Sequence, residues 1–339
     1  MARQYHVAIA GATGAVGEEF RKLLEERPFP LASLRVLASE RSKGKSLQFR
    51  GELIPVEVLG PESFEGCDIA FFSAGASRSR EFGPAAVRSG AVVIDNSSAF
   101  RMDPEVPLVV PEINPEDIGS HKGIIANPNC STIIALMAVA PLRQLGKLKR
   151  IVVSTYQAAS GAGAQAMHEL IEQTRRYLEG QPLQPEVFPH PIAFNLFSHN
   201  TPVGSDGYND EERKMILESR KILHDESLRI TATCIRVPVL RAHAESINVE
   251  FEGARPSVGA VRETLFHSPG IEVVDDVEHG RFPMPLDATG RDSVLVGRIR
   301  EDASNDNAIE MFVCGDQILK GAALNGFQIA ATLIERYAQ

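Results

Sequence analysis

The chain has 339 residues, 43% hydrophobic and 23% charged, which is enough for two packed domains and too apolar for a disordered segment. Its net charge of −9 comes without any block of Lys and Arg, so the charge gives no support to a nucleic-acid partner or a membrane partner. The opening MARQYHVAIAGATGAVG holds only a short apolar run broken by glycines, neither a secretory signal nor a span, and the expected location is cytoplasmic.

Residues 5–10 are rich in Val, Ile and Ala, GATGAVG follows, and Phe20, Leu23 and Leu24 then recur at helical spacing. This reads as strand, glycine turn, helix. Gly11, Gly14 and Gly17 form GxxGxxG at that turn. Glycines there let the backbone approach a pyrophosphate, whose charge meets free N–H groups at the helix start; a tight turn without a ligand is the plainer alternative. The second expected strand, residues 33–39, runs into Ser39-Glu40-Arg41-Ser42-Lys43. NAD-preferring folds place an acidic residue at this point, whereas Arg41 with the hydroxyls of Ser39 and Ser42 suits a 2′-phosphate, so the expected cofactor is NADP. Glu40 would speak for a free ribose if it turned inward. Strand patterns over residues 67–75, 91–98 and 107–113 complete an α/β domain, a Rossmann-like doubly wound parallel sheet.

In ANPNCSTIIALMAVAPL, Cys130 precedes an apolar run long enough for a buried helix. A thiol in the first turn of a helix feels the positive end of the macrodipole, which favours the thiolate, and the N–H groups there suit an oxyanion. Asn129 adds an amide donor. Against this, a free cysteine usually behaves as a small hydrophobe. That second reading is the stronger one for Cys67, Cys234 and Cys314, which lie in or beside strand-like runs. No CxxC pair is present, so neither a disulfide framework nor a metal centre is expected.

Beyond Leu142 the pattern changes. A helix is expected over residues 164–178, then a proline-rich passage carrying Phe188, Phe194 and Phe197, aromatic rings that want burial. RITATCIRVPV, ESINVEFEG and DSVLVGRIRED read as antiparallel strands with one covered face. Residues 129–315 are therefore expected to form an α+β catalytic and dimerisation domain. Residues 1–128 with 316–339 form the cofactor domain, closed by a terminal helix using Ile318, Leu319, Ala322, Ala323 and Leu324 and interrupted at Gly326.

A nucleophilic cysteine beside a nicotinamide site points to aldehyde or acyl chemistry through a thioester. CIRVPVLRAHAE adds Arg236, Arg241 and His243 after a strand, cations beside a candidate acid/base.

GATGAVG, DNSSAFR, NPNCSTI, YQAASGAG, EERK and RVPVLRAH stand in the order found in aspartate-semialdehyde dehydrogenases. Over nearly its whole length the chain resembles that family, in particular its shorter bacterial branch. The resemblance implies a homodimer that converts L-aspartyl-4-phosphate to L-aspartate 4-semialdehyde and phosphate with NADPH, reversibly, through a cysteine thioester, in the biosynthesis of lysine, threonine, methionine and diaminopimelate. It implies Cys130 as nucleophile, His243 as acid/base and Gln157 as the amide that positions substrate. Arg236 is then the clamp on the α-carboxylate, a task suited to a guanidinium fork. Glu211 faces the substrate ammonium, and Arg101 and Lys214 serve the phosphate. The cofactor set extends to Thr13, Ala15, Val16, Ser73, Ser160, Gly161 and Asn325. Without the resemblance, Glu211 and Lys214 would read as an i,i+3 surface ion pair, Arg101 as a solvated loop charge and Gln157 as a strand-end amide. An N-acyl-glutamyl-phosphate reductase, whose substrate has no ammonium for Glu211, and a non-catalytic paralogue are the alternatives.

Overall fold

The alternation at the start of the chain becomes β1 (Tyr5–Ala10), buried at five of its six positions as strands of a covered parallel sheet are. The computed structural model describes residues 3–337. One compact unit contains the chain up to Asn129 together with the residues from Ala322 onward, and a second is formed by Cys130–Gly321.

In the first unit β1 is followed by α1 (Ala15–Glu26), β2 (Leu31–Ala38), the hairpin β3 (Ser46–Phe49) and β4 (Glu52–Val58), β5 (Ile69–Phe72), α2 (Ala76–Arg88), β6 (Val92–Asp95) and β7 (Ile124–Ala126). The sheet order is β3-β4-β2-β1-β5-β6-β7, parallel except for the antiparallel edge pair β3–β4. The chain winds one way from β1 to β2 and the other way to β5, which opens a crevice at the carboxyl ends of β1 and β5. Residues 107–113 do not form the expected strand. Pro107 and Pro111 have no N–H to give a ladder, and only Leu108 bridges to Ala126. The seventh strand is instead the three-residue β7.

The second unit opens with α3 (Cys130–Val139), whose residues from Ser131 to Val139 are all buried, as a helix apolar on every side requires. Then come β8 (Leu148–Gln157), α4 (Ala164–Leu178), β9 (Phe197–Ser198), α5 (Asp210–Leu223), β10 (Arg229–Arg236), β11 (His243–Phe251), α6 (Val258–Phe266), β12 (Ile271–Val273), α7 (Pro285–Ala288), β13 (Val294–Glu301) and β14 (Ala308–Gly315). The sheet order is β12-β13-β14-β11-β8-β10-β9. β11 is antiparallel to both neighbours, as expected, but β10 runs parallel to β8. The long crossover through α4 and α5 permits that direction. In the proline-rich passage Phe188 is buried, whereas Phe194 is 61% exposed and meets the Tyr177 ring in a tilted contact.

The chain returns to the first unit as α8 (Leu324–Tyr337). The expected terminal helix begins with a π-helical turn, Leu319–Ala323, and Gly326 lies inside α8 instead of breaking it. A Cβ at Gly326 would sit 2.8 Å from the Phe20 ring, so this glycine lets α8 approach α1.

Helix α5 starts with a capping box, in which the Asn209 side chain accepts from the Glu212 N–H and the Glu212 carboxylate accepts from the Asn209 N–H. The other Glu212 oxygen accepts from Cys234 N–H at 3.0 Å, tying α5 to β10. Asn209→Ala is expected to lower the unfolding free energy by about 1 kcal/mol, read as a lower urea midpoint at unchanged slope.

Candidate active site

Two glycines of the first turn have a steric reason to be glycine. Gly11 has φ of +89°, and a Cβ on it would lie 2.3 Å from the Ser73 carbonyl oxygen; on Gly17 a Cβ would meet the Gly11 carbonyl oxygen at 2.3 Å. Gly14 is the N-cap of α1 and supplies no side-chain acceptor, so the first-turn N–H groups, those of Ala15 and Val16 included, face a place where an anion is favourable. Ser42 is buried with its hydroxyl 3.4 Å from that of Thr13, while Ser39 is partly buried and Arg41 is exposed beside them. A pyrophosphate fits this backbone cradle.

The DNSSAFR segment of the same unit is organised by Asp95, which accepts from Ser79 Oγ at 2.7 Å and Ser97 Oγ at 2.8 Å. Burial pushes its carboxyl upward against those bonds. Arg101 is not a solvated loop charge. It is 7% exposed, and its Nε and one terminal nitrogen donate to the carbonyls of Asn127 and Asn96, each at 2.9 Å. Asn325 is fully buried and donates to Asn127 Oδ1 at 2.6 Å and to the Val109 carbonyl at 2.9 Å, a strut from α8 into the first unit.

In the second unit, strand register assembles a row of side chains. Arg236 at the end of β10 pairs with Gln157 at the end of β8, and Ala244 pairs with Tyr156, which brings His243 level with them. Gln157 Nε2 donates to Glu211 Oε1 at 3.2 Å, and Lys214 Nζ to Glu211 Oε2 at 3.0 Å. The i,i+3 ion pair of α5 therefore exists, yet its carboxylate is 4% exposed and turned to the strand-end amide. Gly161 is open because the row needs the space: a Cβ there would lie 2.9 Å from an Arg236 terminal nitrogen and 3.2 Å from His243 Nε2. Ser160, beside it, is buried.

His243 is fully buried, and its Nδ1 accepts from the Ala158 N–H at 3.0 Å. The neutral ring therefore carries its proton on Nε2. Burial first, and then the Arg236 cation, bring its pKa down to about 3. Arg236 is itself lowered by burial, opposed chiefly by Glu211 and then by Cys130. It donates to the Ala158 carbonyl at 3.2 Å and lies over the Phe188 ring. Neither His243 Nε2 nor Arg236 Nε has a hydrogen-bond partner among the described residues, although both atoms are buried. In native proteins such orphan donors call for a ligand or a water.

Cys130 is the first residue of α3 and the one cysteine that is not buried. Gly321 lies against it, its would-be Cβ 3.0 Å from that of Cys130. Asn129, the last residue of the first unit, is buried. The other three cysteines are buried hydrophobes; burial raises all three thiols, that of Cys314 to about 12.

One expected member is absent from the row. Arg241, grouped with Arg236 and His243 by sequence, donates through Nε to Asp316 at 2.7 Å, because a fully buried carboxylate outcompetes an open cleft for a cation. The structure also adds residues that sequence reasoning missed. Thr155 Oγ1 donates to Gln157 Oε1 at 3.1 Å, and its place two residues before Gln157 on one strand face was a usable signal. His199, brought down to about 4 by burial and then by Arg236, follows a two-residue edge strand that leaves no periodic trace. Glu245 is fully buried, and neither of its oxygens has a hydrogen-bond partner among the described residues; it lies opposite Thr155.

Two domain families match the chain: a semialdehyde dehydrogenase NAD-binding domain over residues 6–121 and a semialdehyde dehydrogenase dimerisation domain over residues 139–320. The class is thus that of two-domain semialdehyde dehydrogenases. The aspartate-semialdehyde dehydrogenase of Synechocystis sp. is 56% identical over 97% of both chains. Aspartate semialdehyde dehydrogenase II from Vibrio cholerae, solved in complex with ASA, is 43% identical and superposes with a TM-score of 0.94, covering 99% of this chain and 100% of that one. The Candida albicans enzyme, solved with NADP, is 27% identical with a TM-score of 0.77, covering 98% of both. The chain belongs to the aspartate-semialdehyde dehydrogenase family.

Burial holds the Glu245 carboxyl well above its ordinary value, so the folded chain keeps a proton that the unfolded chain releases above about pH 4.5. Stability is then lost as pH rises, by about 1.4 kcal/mol per unit at most, until the folded group ionises. His199 and His243 act in the opposite sense, costing stability as pH falls below about 6.5. Glu245→Gln is expected to gain stability over the parent as pH rises from about 5, until the folded carboxyl ionises, checked by urea unfolding at each pH.

Proposed function

We propose that the protein reduces L-aspartyl-4-phosphate to L-aspartate 4-semialdehyde with release of phosphate, reversibly, through a thioester on Cys130 and with NADPH as reductant. The observation that carries this reading is the buried row of the second unit, in which Arg236 and His243 keep unpartnered N–H donors beside the Glu211 carboxylate, with the partly exposed thiol of Cys130 at a helix start. The glycine turn with Thr13, Ser39, Arg41 and Ser42 supports NADP as the cofactor. The matching dimerisation domain supports a homodimer.

The Arg236 fork takes the substrate α-carboxylate and Glu211 its ammonium, with Gln157 fixing the carboxylate between the amide and Lys214. A buried carboxylate at that place favours a free ammonium over an N-acylated substrate. The Cys130 thiolate attacks the acyl carbon, forming the C–S bond, and the C–O bond to phosphate breaks with its electron pair leaving on the phosphate. Lys214 offers that phosphate an ammonium. His243 donates from Nε2 to the oxyanion formed on attack, and a neutral imidazole with its proton on that atom does so without transferring it. When bound, the reduced nicotinamide supplies the hydride that brings the acyl carbon to the aldehyde level. Collapse of the second oxyanion, held by the same N–H, re-forms the carbonyl and returns the C–S pair to Cys130 as thiolate. The step belongs to the biosynthesis of lysine, threonine, methionine and diaminopimelate.

Cys130→Ala is expected to abolish phosphate-dependent reduction of NADP by L-aspartate semialdehyde, by at least about 10⁴-fold, while NADPH still binds in a fluorescence titration. Appreciable turnover in that variant, or a preference for N-acetyl-glutamate semialdehyde in the parent, would sink the assignment.

A further inference from the structure

Ala242, immediately before His243, has φ of +70°, a left-handed conformation that is unfavourable for a residue with a Cβ and persists only where its surroundings over-determine it. The restraint comes from the end of β14. Gln317 is 3% exposed; its Oε1 accepts from the Ala242 N–H at 2.9 Å, and its Nε2 donates to Ser160 Oγ. The Ser160 turn is the other wall of the imidazole, since Ala158 N–H bonds His243 Nδ1 and Gly161 faces Nε2. That turn is laced to the segment ahead of His243 by Ala159 N–H to the Val239 carbonyl at 2.8 Å and Ser160 N–H to the Leu240 carbonyl at 3.0 Å. Asp316, fully buried, accepts from Arg241 Nε and Gly290 N–H, each at 2.7 Å. Gly315 pairs with His243 itself. Residues 315–317 therefore grip residues 241–243, and one amide side chain bridges both walls.

We propose that Gln317, backed by Asp316, is a positioning residue for His243: it holds Ala242 left-handed and the Ser160 turn in place, and so aims the Nε2–H. The proposal rests on the reading of His243 as donor to the reacting oxygen. Its effect on the semialdehyde passes through the imidazole, so removing Gln317 should lower kcat and leave the KM for L-aspartate semialdehyde nearly unchanged, whereas the KM for NADP can move through Ser160.

Gln317→Met keeps the length of the side chain and removes both bonds. It is expected to lower kcat by about ten- to a hundredfold, the scale of a misplacement near 1 Å, with the semialdehyde KM within about threefold. In a His243→Asn background the same substitution should change kcat by less than about twofold, because residues acting through one group are not additive. Combined with Ala242→Gly, which adopts the left-handed conformation without a Cβ penalty, Gln317→Met should recover at least about fivefold in kcat. An equal loss with and without His243, a loss seen only in KM for either substrate, or no recovery with Ala242→Gly would each overturn the proposal. Parental kcat in His243→Asn alone would overturn the reading of His243 on which it rests. If Gln317→Met fails to fold by thermal unfolding, Gln317→Leu replaces it in the same comparison.

Discussion

The parallel pairing of β8 with β10, in the register that sets Gln157 beside Arg236, is the constraint on which the second unit's site depends. Side chains alternate faces along a strand, so a slip of one residue in β8 would turn Gln157 and Thr155 away from the covered face together, and a slip in β10 would turn Arg236 away. The register is held from below by apolar pairs on that same face, including Val153 with Ala232. It is held from above by α5, whose Glu212 accepts from the Cys234 N–H and whose Glu211 accepts from Gln157. The same rung that orders the core thus delivers the polar ends of three strands to one place.

Burial decides the charge state there. Burial lowers His243 and His199 so that both are neutral at physiological pH, keeps the buried cysteines as thiols, and raises the Glu245 carboxyl. The charges left in the row are Arg236, Glu211 and Lys214, and they are paired or aimed at one another. Under the proposed reading, a substrate with both an ammonium and a carboxylate is met there by opposite charges.

Local signals were legible in the sequence where one element carries them. The glycine turn, the helix Ala164–Leu178 and the apolar run after Cys130 each depend on residues within a few positions of one another. What was not legible depends on partners far along the chain. Arg241 lies two residues from His243, but Asp316, some seventy-five positions away, takes it. The short strand β7 has no pattern of its own and exists because β6 offers it an edge. Asn325, named as a cofactor contact, donates to Asn127 and Val109, some two hundred positions away. Six separated motifs conveyed more about the site than any one of them, because a fold brings together what spacing cannot.

The all-round burial of α3 has a consequence for how this protein tolerates change. A helix with a solvent face can roll or slide a little when its core face is altered, whereas α3 has no such freedom: residues 131–139 are packed on every side, and Ile134 presses within 2.8 Å of where a Gly315 side chain would begin. Any change of volume along that helix is therefore passed to its first residue, which is the thiol. Under the proposed thioester chemistry, ordinary core residues along α3 become tuning screws for it, and drift in the apolar interior is read out as drift in the aim of Cys130.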